Sequence, residues 1–395
     1  MSLCEPPDNG SQDAPPLDLP EGVPPLRAFY LYLSTGCNLK CRHCWITPTF
    51  VRGAPSPGDV IDGALLREAV EEAKPMGLSS AKLTGGEPML HPRFMEIADM
   101  LTRMGLKLNM ETNGTLLTEA SARRLKEETN VKFISVSLDG ADAKTHDAFR
   151  GVPGAFDAAL GGLGHLVGAG YENVQVIMCV HRGNRNQVDD LVTLAARRGA
   201  HTVKINPATK GGRGTAMHER GEALDLDQLL TLARYVHGPL QRTSPVRVIM
   251  NMPPALTSLP EIVRKKGRTG ACGVRGILGI LGTGHMALCG IGRTIPDLVY
   301  GRLGEDSVRE IWLRHPRVLE LRRDLGDPGA FTGLCRECIH LRRCRTGCVA
   351  QNYLEGGRLV RPDRICEEAE SRGIFPSTRK RPDNAGPASR AISAL

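Results

Sequence analysis

The sequence predicts an α/β protein: a partial (β/α)6 barrel of the TIM type, followed by a small cysteine-rich domain. Strand-like apolar runs alternate six times with helix-like segments, a pattern that gives parallel strands joined by right-handed crossovers. Ten of the twelve cysteines fall into two groups, residues 37–44 and 272–366, and the second group follows the last β/α unit. With 395 residues, the chain is long enough for a barrel and a second domain.

The strands and helices follow one another in the order that a barrel requires. Strands are expected at residues 29–33, 80–83, 106–110, 131–138, 174–180 and 202–205. Helices are expected at residues 64–74, 92–104, 119–128, 143–149, 155–167, 188–198 and 226–236. Because the active sites of such barrels lie at the C-terminal ends of the strands, polar motifs just after these strands are the candidate site residues.

The chain divides by composition into five segments. Residues 1–25 are acidic and proline-rich without Lys or Arg, which favours a disordered arm over a signal peptide. The barrel is expected at 26–250, a linker at 251–270, the cysteine-rich domain at 271–370 and a flexible basic tail at 371–395. No run approaches the ~18 apolar residues of a membrane span. We therefore expect a cytoplasmic protein without a membrane partner.

The net charge of +8 has two interpretations. It fits ordinary solubility, and it also fits an acidic partner such as an anionic peptide. Aromatic residues make up only 4% of the chain and do not interleave with basic ones. The sequence therefore disfavours nucleic acid as a partner.

Cys37, Cys41 and Cys44 form a Cys-x3-Cys-x2-Cys triplet shortly after the first predicted strand. Three thiolates on one loop suit a [4Fe–4S] cube that keeps one iron open for an outside ligand. A zinc site with His43 as an additional ligand is an alternative. A disulfide framework is another, although it would need an oxidising compartment. From the triplet alone, these alternatives stay open.

The run Thr84-Gly85-Gly86-Glu87-Pro88 follows the second predicted strand. With the triplet, it makes the chain resemble radical S-adenosylmethionine enzymes. The resemblance implies that the three cysteines bind the cube and that S-adenosylmethionine chelates the fourth iron. It also implies that a cluster electron cleaves the cofactor, and that the resulting 5′-deoxyadenosyl radical takes a hydrogen atom from the substrate.

The same resemblance implies further contacts with the cofactor. Glu87, with the carbonyls of its motif, would hold the methionyl ammonium, and Arg150 would pair with the cofactor carboxylate. His43 would pack beside the adenine. The complete set of implied cofactor-binding residues is His43, Gly85, Gly86, Glu87, Pro88, Asn113, Ser137, Asp139 and Arg150. The alternative is that these residues form ordinary polar turns and a solvated arginine.

The second cysteine group has the spacing Cys335-x2-Cys338-x5-Cys344-x3-Cys348. Two further cysteines precede it and one follows, and the whole pattern resembles the SPASM domain, which holds two auxiliary [4Fe–4S] clusters. The resemblance implies an inner cluster on Cys272, Cys289 and Cys348, and an outer cluster on Cys335, Cys338, Cys344 and Cys366. A zinc ribbon is the alternative. Some relatives have an extra cysteine a few residues before the position of Cys272, whereas residues 253–271 contain none here. The inner cluster would then have either an open iron or an unidentified fourth ligand, and we expect a substrate heteroatom such as a thiolate to reach an open iron.

Resemblance to SPASM proteins implies a ribosomally made peptide as substrate. The product would be a thioether, a carbon–carbon crosslink or an oxidised residue. Sulfatase-type maturases carry an Asp where this chain has Gly290, which disfavours formylglycine formation. About 27 residues precede the first predicted strand, too few for a leader-recognition domain. A separate recognition protein, or direct binding of the peptide by the basic surface, would have to replace it, and flavodoxin or ferredoxin is the expected reductant.

Two other functions stay open. One is oxidation of a small cofactor precursor of the tetrapyrrole or quinone type. The other is a non-catalytic iron–sulfur or zinc scaffold. The sequence assigns no catalytic acid or base.

Overall fold

The structure is a computed structural model that describes residues 17–51, 60–265 and 272–382. Parts of all five expected segments lie outside the described residues: 1–16 of the acidic arm, 52–59 of the barrel, 266–270 of the linker, residue 271 of the cysteine-rich domain and 383–395 of the tail. Within the described ranges, no helix combines the length and the apolar character needed to cross a membrane.

One large sheet forms the centre of the fold. The strands are β1 Ala28–Tyr32, β2 Gly36–Cys37, β3 Thr49–Phe50, β4 Ser80–Thr84, β5 Lys107–Thr112, β6 Val131–Ser137, β7 Val174–Val180, β8 Thr202–Pro207, β9 Arg247–Met250, β10 Ile277–Ile280, β11 His285–Ala287 and β12 Val299–Arg302. Ten of them pair in the order β12-β11-β10-β1-β4-β5-β6-β7-β8-β9, while β2 pairs with β3. The run from β10 to β9 is parallel, and β11 and β12 are antiparallel.

Helices connect the parallel strands. The α-helices are α1 Gly63–Ala73, α2 Phe94–Arg103, α3 Glu119–Glu128, α4 Ala143–Arg150, α5 Ala155–Gly168, α6 Val188–Arg197, α7 Arg213–Glu219, α8 Leu226–Tyr235, α9 Gln241–Thr243, α10 Leu259–Arg264, α11 Val308–Arg314, α12 Pro316–Gly326, α13 Leu334–Glu337, α14 Leu341–Cys344, α15 Val349–Gly356 and α16 Arg364–Ser371. The six predicted strand–helix repeats are all present. This confirms the expected α/β partial barrel.

Several helices begin where a polar residue satisfies their free backbone N–H groups. The Asp62 carboxylate accepts hydrogen bonds from Ala64 and Leu65 at the start of α1. Thr118 and Asp225 form reciprocal capping boxes at the starts of α3 and α8. These local signals explain why the predicted helices agree so closely with the observed ones.

The two faces of the parallel strands differ in character. On one face, alternate residues such as Leu31, Leu83 and Met110 are fully buried. The residues between them, such as Tyr30 and Lys82, are only partly buried. Because strand side chains alternate between faces, one face supplies the apolar core and the other stays half-open toward the ends of the strands.

The chain divides into two compact units. One comprises Met1–Asn251 with Cys272–Arg322, and the other Met252–Ala271 with Arg323–Leu395. This differs from the expected division at residue 271. The reason is that β10 pairs in parallel with β1, so the segment that carries Cys272 and Cys289 extends the barrel sheet.

The second unit consists of short helices and loops. The expected linker contributes α10 to it, with a 3-10 turn at Pro254–Leu256. The described start of the expected tail pairs with the backbone near Cys338. Lys380 and Cys338 form an isolated antiparallel β-bridge, and Arg381 N donates to the Glu337 carbonyl. At the other end of the chain, in the first unit, the described residues of the acidic arm are tied to α11. There Arg309 pairs with Asp18, and Trp312 donates to the Pro24 carbonyl.

Candidate active site

The cysteine triplet lies in the loop between β1 and α1, with Cys37 at the end of β2. Cys37 and Cys41 are buried and Cys44 is half-buried, and no disulfide joins them. Burial raises the pKa of both Cys37 and Cys41, so these thiols stay protonated in the absence of a metal. A bound metal would reverse this by taking them as thiolates.

The glycines of the Gly85-Gly86-Glu87-Pro88 run pack against the backbone that leads into the triplet. Gly86 N donates to the Ser34 carbonyl and Glu87 N to the Gly36 carbonyl, both at 2.9 Å. A Cβ on Gly86 would lie 1.9 Å from the Gly36 oxygen, and Gly85 has a φ of +134°. The glycines are therefore needed for backbone-to-backbone packing, and Pro88 starts the 3-10 turn that follows.

The Glu87 carboxylate is fully buried and joins this run to the end of β5. It accepts hydrogen bonds from Thr112 Oγ1 at 2.6 Å and Asn113 N at 2.8 Å. Burial raises the pKa of Glu87 to about 7, although these hydrogen bonds oppose the rise. Glu87, which the resemblance assigns to the cofactor ammonium, thus connects the Gly85-Gly86-Glu87-Pro88 run to Thr112 and Asn113 at the end of β5.

Asn113 reaches the cysteine loop directly. Its Nδ2 lies 2.8 Å from Asn38 Oδ1 and 3.9 Å from Cys37 Sγ. Its Oδ1 accepts a hydrogen bond from Thr115 N at 2.9 Å. Ser137 stands half-buried at the end of β6. The structure thus brings the ends of β4, β5 and the triplet together.

Asp139 and Arg150 form a buried ion pair, with Asp139 Oδ2 2.6 Å from Arg150 Nε. The other carboxylate oxygen accepts from Cys179 N at 2.7 Å, and Arg150 Nη1 lies 3.5 Å from Cys41 Sγ. Burial opposes the charge on Arg150, but Asp139 and Cys41 hold the pKa of Arg150 above its ordinary value. Arg150, expected to bind the cofactor carboxylate, here neutralises Asp139 beside a cluster cysteine.

Three rings stack beside the triplet. The His43 ring lies 4.5 Å from that of Phe149, and Phe149 lies 4.3 Å from His181 on its other face. Burial lowers the pKa of His43 to about 4, so the imidazole is neutral. His43 thus packs against Phe149, while its expected place beside the adenine stays a prediction. Phe149 and His181 were not foreseen, although Phe149 directly precedes Arg150.

The segment that starts α7 is a second unforeseen part of the site. Arg213 N donates to the Cys44 carbonyl at 3.0 Å, and a Cβ on Gly212 would lie 2.6 Å from the same oxygen. The side-chain Nε and Nη2 atoms of Arg213 are buried without a hydrogen-bond partner among the described residues. In the sequence this segment is only a Gly- and charge-rich loop, and its one signal is the Gly-Gly pair before Arg213.

These residues fit an iron–sulfur cube with S-adenosylmethionine. Arg213 offers donors for a carboxylate. Thr35 Oγ1 and His43 Nδ1 are also buried without a hydrogen-bond partner in the described part of the chain. Thr35 lines a small pocket, together with Tyr32, Ser34, Ile46, Pro48, Gly86, Leu281, Gly282 and Gly290. Buried polar atoms without hydrogen-bond partners in residues of the cysteine loop and at the start of α7 match a polar ligand.

Four predicted cluster cysteines surround one cavity of the second unit. Its lining comprises Cys335, Cys338, Cys344, Cys366, Pro253, Pro254, Ala255, Leu334, His340, Leu341, Thr346, Asp363 and Phe375. Burial raises the pKa of both Cys335 and Cys344 to about 12, assisted by the neighbouring thiols at Cys335 and first by the Asp363 carboxylate at Cys344. An apolar cavity with four thiols is suited to a cluster whose iron would displace their protons.

The three cysteines of the expected inner cluster are divided between the units. Cys272 and Cys289 belong to the first unit and Cys348 to the second. Across the described ranges, no three Cys, His, Asp or Glu side chains converge as ligands of one metal ion.

Comparison with known proteins agrees with this geometry. Residues 31–195 match the model of the Radical SAM superfamily. The chain is 30% identical to the AdoMet-dependent heme synthase of Methanosarcina barkeri over 348 residues, which is 85% of this chain and 94% of that protein. It is 28% identical to the mycofactocin maturase MftC of Mycobacterium tuberculosis over 361 residues, which is 89% of this chain and 85% of that protein.

Solved structures share the fold. SuiB of Streptococcus suis bound to S-adenosylmethionine aligns with a TM-score of 0.67 at 18% identity, covering 87% of this chain and 78% of that one. The protein anSMEcpe, with bound AdoMet and the Cp18Cys peptide, aligns with a TM-score of 0.64 at 17% identity, covering 88% and 95%. The motifs, the sheet and the sequence relatives agree, and the chain belongs to the radical SAM superfamily.

Proposed function

We propose that the chain is a radical SAM maturase that modifies a peptide and that carries two auxiliary clusters besides the radical SAM cluster. One observation carries the proposal: a set of contacts connects the predicted motifs to the cysteine loop. Glu87 accepts a hydrogen bond from Asn113, Asn113 contacts Cys37, and Arg150 contacts Cys41 in the same loop. In this proposal Cys37, Cys41 and Cys44 would hold the cube, whose chemistry when bound would be the reductive cleavage of S-adenosylmethionine that starts hydrogen abstraction from the substrate.

The protein's own residues have distinct tasks in this proposal. Arg213 binds the cofactor carboxylate, because its buried Nε and Nη2 have no other partner among the described residues. Arg150 places a positive charge beside Cys41, which stabilises a thiolate there. The stacked rings of His43, Phe149 and His181 exclude water from one side of the loop.

A peptide substrate is supported by the mycofactocin maturase MftC among the relatives. The proposed peptide-modifying function also includes a cytoplasmic location, a flavodoxin or ferredoxin as reductant and a separate leader-recognition protein. The four cysteines around the cavity in the second unit support an outer auxiliary cluster. The inner cluster would use Cys272, Cys289 and Cys348, with an open iron for a substrate thiolate.

The alternative substrate is a tetrapyrrole. This alternative is supported by the 30% identity between the chain and the AdoMet-dependent heme synthase. Co-expression with candidate precursor peptides, followed by mass spectrometry, separates the two. A peptide mass change that requires Cys37 supports the maturase. An unchanged peptide, with conversion of a porphyrin carboxylate substrate, supports the alternative.

Anaerobic reconstitution tests the cofactors themselves. We expect about 12 Fe per chain from three cubes, and release of 5′-deoxyadenosine after reduction. Cys37→Ala should abolish that release. Cys335→Ala and Cys366→Ala should each lower the iron content by about four atoms, because a cube loses a ligand. Cys179→Ala is the matched control and should leave the iron content unchanged. Equal iron in Cys366→Ala and the wild type would rule out the outer cluster.

A further inference from the structure

His340 lies in the second unit, between two of the cysteines that are expected to hold the outer cluster. In the sequence it stands two residues after Cys338 and four before Cys344. It lines the same cavity as these cysteines, and its backbone N–H donates to Cys338 Sγ at 3.4 Å. Its carbonyl accepts a hydrogen bond from Cys344 N at 2.8 Å. Both backbone groups of His340 are therefore bonded to residues that carry the thiols.

The His340 side chain contains a buried nitrogen that the rest of the chain leaves unused. The residue is only 8% exposed. Its Nε2 atom is shielded from solvent and has no hydrogen-bond partner among the described residues. A buried polar atom without a partner is costly, and in native proteins it often indicates a redox role, a bound water or a bound ion.

The other polar side chains of this cavity already have partners. Three lining residues carry a side-chain nitrogen or oxygen: Thr346, Asp363 and His340. Thr346 Oγ1 donates to the Arg361 carbonyl, and Asp363 Oδ1 accepts from Ile365 N at 2.9 Å. Within the described lining, His340 alone has a buried side-chain nitrogen or oxygen that lacks a partner. The side chains of the other lining residues are apolar or carry thiols, so sulfur is the acceptor that they offer.

The number of cysteines decides how His340 would meet the outer cluster. Four cysteines line the cavity, and four thiolates are a full ligand set for a [4Fe–4S] cube. No iron is then left for the imidazole, and a hydrogen bond to sulfur is the contact that remains. Hydrogen bonds to the sulfurs help to set the reduction potential of such a cluster. They favour the reduced form, because it carries more negative charge on the acceptor.

We propose that the His340 imidazole donates a hydrogen bond from Nε2 to a sulfur atom of the outer cluster and so raises the reduction potential of that cluster. This assignment rests on the outer cluster of the proposed function and adds the residue that tunes it. The four cysteines determine whether the cluster binds, and His340 determines how readily the bound cluster is reduced.

A redox titration of the reconstituted full chain tests the proposal. The protein is titrated anaerobically with dithionite, and the reduced clusters are followed by electron paramagnetic resonance. The signal that disappears in Cys335→Ala belongs to the outer cluster. His340→Phe keeps a planar ring and removes the N–H donor. We expect the ratio of reduced to oxidised outer cluster at a given potential to fall about tenfold in this variant, which is about 59 mV for one electron.

Two further variants separate the hydrogen bond from a packing role. His340→Gln keeps an N–H donor near the position of Nε2 and should recover at least half of the shift. His201→Phe replaces an exposed histidine just before β8 and should leave the midpoint of the outer cluster unchanged. The iron content should equal that of the wild type in all three variants, because none of them removes a cluster ligand.

Three results would overturn the proposal. The first is a wild-type midpoint in His340→Phe. The second is an equal shift in His340→Phe and His340→Gln, because packing would then explain it. The third is a loss of about four iron atoms in His340→Phe, which would make His340 necessary for the cluster to bind.

Failure of this proposal can be told apart from failure of the proposed function. An unchanged midpoint, with a signal that still depends on Cys335, would reject the hydrogen bond from His340 alone. The absence of any signal that depends on Cys335 would reject the outer cluster of the proposed function, and the role of His340 with it.

Discussion

The ring of Tyr32 occupies the space that a side chain at position 290 would need. A Cβ on Gly290 would lie 2.2 Å from Tyr32 Cε1 and 2.6 Å from its hydroxyl oxygen. Burial, together with Cys289, raises the pKa of Tyr32, so the phenol stays protonated. The position where sulfatase-type maturases carry an Asp is thus closed here by a tyrosine, which gives a physical reason for the glycine.

Gly290→Ala should destabilise the protein by about 1–3 kcal/mol, because the added methyl group overlaps the Tyr32 ring. Tyr32→Ala removes that obstacle, at the cost of a cavity. In a double-mutant cycle the alanine at position 290 should therefore cost much less in the Tyr32→Ala background. Urea unfolding of the four proteins measures this. The same cost in both backgrounds would show that Tyr32 does not exclude a side chain at position 290.

Asp139→Asn should destabilise the protein by about 3–5 kcal/mol, because Arg150 would remain buried without its counter-charge. Replacing both residues, as Asp139→Asn with Arg150→Met, should recover part of the loss, because no charge is then left unpaired. Thermal unfolding of the single and double variants provides the comparison. If the double variant were less stable than the sum of the single effects predicts, the ion pair would not be the source of the loss.

Arg213→Gln should weaken binding of S-adenosylmethionine by about tenfold or more, since a charge-assisted contact with the carboxylate is lost. Equilibrium dialysis with the labelled cofactor measures the dissociation constant. Arg197→Met, an exposed arginine at the end of α6, is the matched control and should leave it unchanged. Wild-type affinity in Arg213→Gln would assign the cofactor carboxylate to another residue.

Glu87 should make stability depend on pH in a defined direction. Burial raises its pKa from 4.5 to about 7 in the folded state. The protonated carboxyl is therefore favoured by folding, and its contribution is fully present below pH ~4.5 and lost as the pH rises through ~7. The loss is about 3 kcal/mol at most.

Glu87→Gln cannot titrate and should remove this dependence between about pH 5 and 8. Urea unfolding of metal-free wild type and variant across that range gives the difference in slope. Parallel curves for the two proteins would show that Glu87 does not titrate in the folded state in this window.

Local sequence signals predicted most of the barrel. Helices α3 and α8 begin at capping boxes formed by residues three positions apart, and such signals do not depend on the rest of the fold. The extension of the sheet by β10 could not be predicted in this way. It depends on Ile277–Ile280 pairing with β1, which lies about 250 residues earlier in the chain.

The site was predictable where chemistry fixes residue types and spacing, and not where it depends on packing. The triplet Cys37, Cys41 and Cys44 indicated the superfamily only together with the Gly85-Gly86-Glu87-Pro88 run, because few residue patterns combine a cube-binding loop with that motif. The contacts of Arg213 and Tyr32 carry no comparable signal. Each is set by a neighbour far away in sequence, Cys44 for Arg213 and Gly290 for Tyr32.

By itself, the sequence determined the strand–helix alternation, the cysteine spacings and the cofactor chemistry that they imply. Only the tertiary structure decided which charged side chains pair with one another. Arg150 is paired with Asp139, Arg213 is left with buried donors, and Lys82 meets Glu111 on the open face. The physical reason is that a motif fixes which groups are present, whereas pairing depends on distances that only the folded chain sets.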